Sequence, residues 1–154
     1  MKKLVIFALC MVMFLTLTGC GKKKAITSEK FTSLASEQGL NTTDLTLEAA
    51  ATYGYVKSAV FAYNTIGDLQ VEFYILENND KAKSLFNSSK SIVETRKTGS
   101  YKDKSVNLAN YNIYEISAGG SYVYMSRVDN TLFYAEASDS YKKEIKSLVK
   151  KMGY

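Results

Sequence analysis

Serine and lysine spacings are the first feature of this chain that could support covalent chemistry. Ser140 with Lys143 and Ser147 with Lys150 match the S-x-x-K pattern, and residues 97–99 match K-T-G. These motifs occur together in acyl-transfer enzymes that use a serine nucleophile. Here they run in the wrong order, no S-D-N accompanies them, and the lysines are expected on the solvent face of a C-terminal helix. We therefore assign no catalytic residue.

Carboxylates offer a second kind of chemistry, but their spacing forms no recognisable site. Glu72, Glu115 and Glu136 fall within predicted strands, where we expect them to face solvent. No D-x-D-x-D run suggests calcium, and the chain has no His for Ser-His-Asp catalysis or a zinc site. We predict no metal and no cofactor. A hydrolase or transferase acting on envelope polymers, with carboxylate or Ser-Lys chemistry, remains the alternative function.

Tyrosine is the compositional excess of the chain, with twelve residues. If Phe73 and Phe133 face the helices, strand alternation points Tyr74 and Tyr134 to the other side of the sheet. Together with Met125 they form a candidate binding patch, because tyrosine combines a rigid apolar ring with a polar tip. The alternative is that these tyrosines pack beneath a helix or loop on the second face of the sheet.

The N-terminus ends its apolar run in a specific motif. Two lysines precede fourteen apolar or small residues, Leu4 to Leu17, a run shorter than the roughly 20 residues of a membrane span. The sequence Leu17-Thr18-Gly19-Cys20 that ends the leader resembles the lipobox of bacterial lipoproteins. The resemblance implies a signal peptide over residues 1–19 and a diacylglyceryl group on Cys20. The alternative is an ordinary secreted protein with a chance cysteine.

Charge is concentrated at this same end of the chain. Five of the twenty Lys and Arg residues lie at positions 2, 3 and 22–24, which leaves fifteen against fifteen Asp and Glu from residue 25 onward. A balanced domain lacks the basic face that phosphate recognition needs, so we predict no nucleic-acid partner. Lys22 to Lys24 can contact anionic headgroups or serve as a solvated spacer. A short domain rich in Lys, Asn and Tyr behind a lipobox resembles small uncharacterised lipoproteins of low-GC Gram-positive bacteria.

The remaining pattern predicts one α+β domain over residues 27–154, after a lipidated tether at residues 20–26. We expect an antiparallel sheet of about five strands with three helices, in the order α-β-β-α-β-β-β-α. Residues 41–54 fit a strand or a helix equally well, and residues 97–105 are expected to form a mobile loop. Similar hairpin-to-helix joints suggest a duplicated β-β-α unit, residues 57–94 and 117–154. Alternatively, such joints look alike by physical necessity.

We therefore expect a lipid-anchored protein on the extracytoplasmic face of the cell membrane. Its predicted role is a non-enzymatic binding or interaction module, with an envelope protein or a small molecule as the ligand. A third hypothesis is assembly, in which an exposed sheet edge pairs with another chain.

Overall fold

The structure is a computed structural model that describes residues 22–154. The predicted signal peptide, residues 1–19, and the predicted lipidation site Cys20 lie outside the described residues. The described part has four helices and seven strands, so the α+β class is confirmed. In chain order the elements are α1 Ser28–Glu37, β1 Asn41–Asp44, α2 Thr46–Tyr53, β2 Val56–Tyr63, β3 Leu69–Leu76, α3 Asn79–Glu94, β4 Tyr101–Asn107, β5 Tyr111–Ala118, β6 Ser121–Val128, β7 Thr131–Ser138 and α4 Lys142–Met152, with a 3₁₀ turn Asp139–Tyr141 before α4.

The seven strands form one antiparallel sheet in the order β1-β2-β3-β7-β6-β5-β4. Two meanders, β1 to β3 and β4 to β7, meet at the central pair β3 and β7, where Phe73 lies directly opposite Phe133. Residues 22–154 thus form a seven-stranded sheet with a buried cluster on each of its faces.

Helices cover the sheet on both sides. On the α1/α4 face, Phe31 of α1 stacks on Phe73 with ring centroids 4.8 Å apart and meets Phe133 edge-on at 6.3 Å. Ile145 and Leu148 of α4 complete that buried cluster. The α2/α3 face has a second cluster, in which apolar residues of α3 pack on strands β5 to β7. The domain thus has three layers, with the sheet in the middle.

The predicted counts of five strands and three helices are wrong, because three elements were not recognised. Strand β1 and helix α2 arise from residues 41–54, the segment that fitted both patterns. Strand β4 occupies most of the predicted mobile loop, residues 97–105. It is an edge strand whose side chains are almost all exposed. Its sequence therefore lacks the alternation of apolar and polar residues by which a half-buried strand is recognised.

The predicted duplication of a β-β-α unit is also wrong. The two hairpins, β2–β3 and β6–β7, do have a two-fold arrangement in the sheet. The central strand order is β2-β3-β7-β6, and Phe73 and Phe133 lie on the same face. However, α3 packs in the cluster on one face and α4 in the cluster on the other. A rotation that superposes the hairpins would place these helices on opposite sides of the sheet.

Within residues 22–154, none of the helices has both the length and the apolar character that crossing a bilayer requires.

Candidate binding groove

The α2/α3 face is not fully covered by its helices. Helix α3 presents Ala82, Phe86 and Val93 to the strands beneath it, and α2 packs near β2 through Ala49. Between the two helices, side chains of β3 and β7 remain partly accessible. We call this opening, floored by β3 and β7, the groove.

Two adjoining hollows, of about 160 Å³ and 540 Å³, make up the groove and share Glu72 and Tyr134. The smaller hollow is mainly apolar and lies against α3, where the side chain of Ile92 at its rim is 65% exposed. The larger hollow is more polar and reaches the β2–β3 turn at Asp68 and the side chain of Glu136. The groove therefore has an apolar end and an acidic end. Its other principal lining residues are Tyr53, Tyr74, Leu85, Ser89, Val93, Leu132, Gln70 and Ser121.

Two glutamate–tyrosine pairs form the floor where these ends meet. The hydroxyl of Tyr74 donates to Oε2 of Glu72 at 2.6 Å, and that of Tyr134 donates to Oε2 of Glu136 at 2.7 Å. Each pair is separated by two residues along one strand, which places both side chains on the same face. Antiparallel register sets Glu72 directly opposite Tyr134, so the two pairs are neighbours.

Arg96, just after α3, adds a positive charge at the acidic end. Its Nη1 atom donates to Oε1 of Glu136. Burial alone would raise the pKa of Glu136, but hydrogen bonds from Arg96 and Tyr134 outweigh it and lower that pKa. Glu136 is therefore ionised at neutral pH, and both of its oxygens accept hydrogen bonds.

The phenols on the groove floor stay protonated at neutral pH. Burial, followed by the hydrogen bond to Glu72, raises the pKa of Tyr74. Burial and the bond to Glu136 act in the same way on the pKa of Tyr134. Both hydroxyls therefore remain donors to their carboxylates. The remaining acceptor capacity of Glu72 is available to a ligand, because a carboxylate can accept about four hydrogen bonds.

The structure brings two of the three predicted patch residues together. Tyr74 and Tyr134 line the same groove, on the face opposite Phe73 and Phe133, as strand alternation predicted. Met125 does not join them. It pairs with Tyr134 across β6 and β7 but is fully buried among the apolar residues that pack with α3. The prediction that Met125 belongs to an exposed patch was wrong. Strand alternation determines the face of the sheet on which a residue lies, but it does not show which part of that face a helix covers.

Sequence reasoning missed the polar partners of the tyrosines. Glu72 and Glu136 were expected to face open solvent, yet both are half-buried in the groove. The spacings Glu72-x-Tyr74 and Tyr134-x-Glu136 would have indicated same-face pairs on their strands. Nothing in the sequence indicated Arg96, which reaches Glu136 only because α3 ends above β7.

The serine and lysine motifs do not assemble into a site. Ser140 is hydrogen-bonded to Ser138, and within the described chain no hydrogen bond joins either S-x-x-K serine to its lysine. A different pair, Lys142 and Ser117, lies at 3.2 Å on the other face of the sheet. No group of three or more Asp, Glu, Cys or His side chains within residues 22–154 is arranged to hold a metal ion.

Comparison with known proteins identifies the fold and no family. The chain matches no protein-family model and no curated protein. Among solved structures, it resembles a GTP binding regulator from Thermotoga maritima with a TM-score of 0.50 and 12% sequence identity. The match covers 83% of this chain and 88% of the other. At this identity the likeness establishes a shared fold alone.

Proposed function

We propose that this protein is a membrane-anchored, extracytoplasmic binding module with no enzymatic activity, and that its ligand occupies the groove between α2 and α3. The observation that supports the proposal is the pairing of two glutamate–tyrosine units with an adjoining apolar hollow. Sites of this kind combine a mostly apolar lining with a few fixed polar groups that orient the ligand. The lipobox resemblance supports the location of the protein.

The groove chemistry favours a ligand with a cationic head and an apolar body. Glu72 and Glu136 place two carboxylates on the floor, and Arg96 compensates only Glu136. The Tyr74 and Tyr134 rings can attract an ammonium group further, at about 0.5–2 kcal/mol for each well-placed ring. Leu85 and Ile92 offer apolar surface beside them. An amine attached to an aromatic or aliphatic group, free or within a peptide, matches this arrangement.

The same charges argue against two other activities. Glu136 cannot serve as the protonated acid that a glycoside hydrolase needs, because its pKa is lowered. A guanine nucleotide, suggested by the name of the structural neighbour, would bring its phosphates against Glu72 and Glu136. Like charges at such short range are unfavourable. We therefore do not extend nucleotide binding to this groove.

Three probes of differing charge test the proposal by NMR titration: phenethylammonium and phenylacetate, which are matched in size, and GTP. We expect phenethylammonium to bind weakly and shift the resonances of Tyr74 and Tyr134, and we expect phenylacetate and GTP to leave them unchanged. Replacing Glu72 by Gln removes the charge but keeps the shape, and should weaken phenethylammonium binding at least about tenfold, as expected for a charged hydrogen bond.

The matched control is Glu48→Gln, which removes an exposed carboxylate on α2 outside the groove lining. It should leave binding unchanged. Equal weakening in both variants would mean that the amine responds to overall charge. Preferential binding of phenylacetate or GTP would contradict the proposed ligand class.

A further inference from the structure

A cluster of lysines lies around the first described residues, on the opposite side of the molecule from the groove. Lys23, Lys104, Lys146 and Lys150 line a hollow of about 420 Å³, and Glu115 is the one acidic side chain among its described lining residues. Lys22 and Lys24, both exposed, adjoin Lys23 along the chain. These six lysines are called the basic surface below. They come from three separate segments that only the fold brings together.

The charges of this surface are largely uncompensated. Glu115 is engaged by Lys146 at 2.8 Å and by the hydroxyl of Tyr122 at 2.6 Å. Lys104 and Lys150 are exposed, and neither makes an ion pair or side-chain hydrogen bond with another residue of 22–154. The surface therefore has a strong local positive charge, although residues 25–154 as a whole are neutral.

The start of the described chain is fixed against this surface. The carbonyl of Lys23 accepts a hydrogen bond from Asn110 at 2.9 Å, and its ammonium group donates to the carbonyl of Gly153 at 3.2 Å. The same ammonium lies 5.2 Å from the ring centre of Tyr111. Three residues span at most about 11 Å, so an anchor at Cys20 would lie within that distance of Lys23.

We propose that the basic surface binds directly to an anionic lipid bilayer and orients the domain on it. Each lysine near such a surface adds a similar increment of attraction, so several exposed lysines on one side give a substantial total. Ile113, half-buried among these lysines, adds a small apolar surface beside them. This inference is independent of the ligand proposed for the groove.

Binding to vesicles tests the proposal without the anchor. The protein for the test is residues 22–154, which form the seven-stranded sheet and its two buried clusters, and circular dichroism verifies its folding. We expect it to sediment with vesicles of phosphatidylcholine and phosphatidylglycerol, but not with phosphatidylcholine alone, and to be released by high salt. Lys104→Gln with Lys150→Gln should weaken binding roughly 30-fold.

Two matched variants control for net charge and for folding. Lys57→Gln with Lys83→Gln removes the same charge from exposed positions away from the basic surface, and should change binding less than about twofold. Lys104→Arg with Lys150→Arg keeps the charge and should bind like the wild type. Equal weakening by the two Gln pairs, or equal binding to both kinds of vesicle, would overturn the proposal. Displacement by about 1 mM inorganic phosphate would also overturn it, since the surface would then be a site for free phosphate.

Discussion

Several half-buried polar side chains in this domain are paired with one another by hydrogen bonds. Glu115 illustrates this on the α1/α4 face, where it is held by Tyr122 and Lys146. Burial favours the neutral acid, but the hydrogen bonds from Lys146 and Tyr122 are stronger, so the pKa of Glu115 is lowered. Its contribution to folding therefore depends on pH in a defined direction.

The first prediction concerns this dependence. A carboxyl whose pKa is lowered in the folded state stabilises the protein above its unfolded pKa of about 4.3, and that stability is lost as pH falls through the folded pKa. Glu115→Gln should therefore reduce the free energy of unfolding at pH 7, and the deficit should shrink as pH falls toward 3. Urea unfolding followed by circular dichroism at several pH values measures it.

The control for Glu115 is the exposed carboxylate of Glu48, which is outside the described ion pairs. Glu48→Gln should leave the free energy of unfolding near that of the wild type at pH 7. A Glu115→Gln deficit of the same size at every pH would show that lost packing, rather than charge, explains it.

The residue pattern of the sequence predicted which face of the sheet carries the candidate site, but not which residues form the site. Parity along β3 and β7 was enough to place Tyr74 and Tyr134 on the face away from Phe73. Glu72 and Tyr134 are neighbours because of the register between two strands about sixty residues apart in the chain. No local sequence pattern encodes that register. Burial of Met125 depends on where α3 lies over the sheet.

Elements were predictable where the hydrophobic pattern alone determined them. Helix α4 places Ile145, Leu148 and Val149 on one buried stripe, and its period is visible in the sequence. Strand β4 was missed because an exposed edge strand needs no buried stripe. Its Lys102, Asp103 and Lys104 place charges on the open edge of the sheet. Such charges oppose pairing of this edge with another chain, so they disfavour assembly through β4.

The C-terminal segment after α4 fastens the segment before α1 to the sheet. The Tyr154 hydroxyl accepts from the backbone N–H of Ile26 at 3.1 Å and lies 2.6 Å from Oγ1 of Thr131. Thr131 donates its own proton to the carbonyl of Val128 at 2.7 Å, so Tyr154 is the donor to Thr131. One phenol thus joins the segment before α1 to strand β7.

The second prediction is that Tyr154→Phe destabilises the domain by about 1–3 kcal/mol, because it leaves the amide of Ile26 without its partner. Amide hydrogen exchange should accelerate at Ile26 more than at buried residues of β6. The control is Tyr63→Phe, a half-buried tyrosine on β2 whose hydroxyl makes no hydrogen bond with the described residues. Unchanged exchange at Ile26 in the Tyr154 variant would contradict the assigned role.

At the scale of the whole molecule, the two proposed binding surfaces use opposite faces of one sheet. Lys104 and Glu115 lie on the α1/α4 face with α4, whereas Glu72, Tyr74 and Tyr134 floor the groove on the α2/α3 face. Membrane contact through the basic surface would therefore leave the groove open to solvent. A domain oriented in this way could bind a ligand while held at the bilayer.

The third prediction tests this orientation by the accessibility of single introduced thiols. Residues 22–154 contain no native cysteine, so each introduced thiol reports one position. Ser147→Cys lies on the exposed side of α4 near Lys150, and Ser91→Cys lies on the exposed side of α3. On anionic vesicles, a membrane-impermeant maleimide should label the Ser147→Cys variant several-fold more slowly than in solution, because the bilayer covers α4. The same reagent should label the Ser91→Cys variant at its solution rate. Equal slowing in both variants would mean that the domain binds without a preferred orientation. Slowing in the Ser91→Cys variant alone would place the groove against the membrane, where a soluble ligand could not enter it.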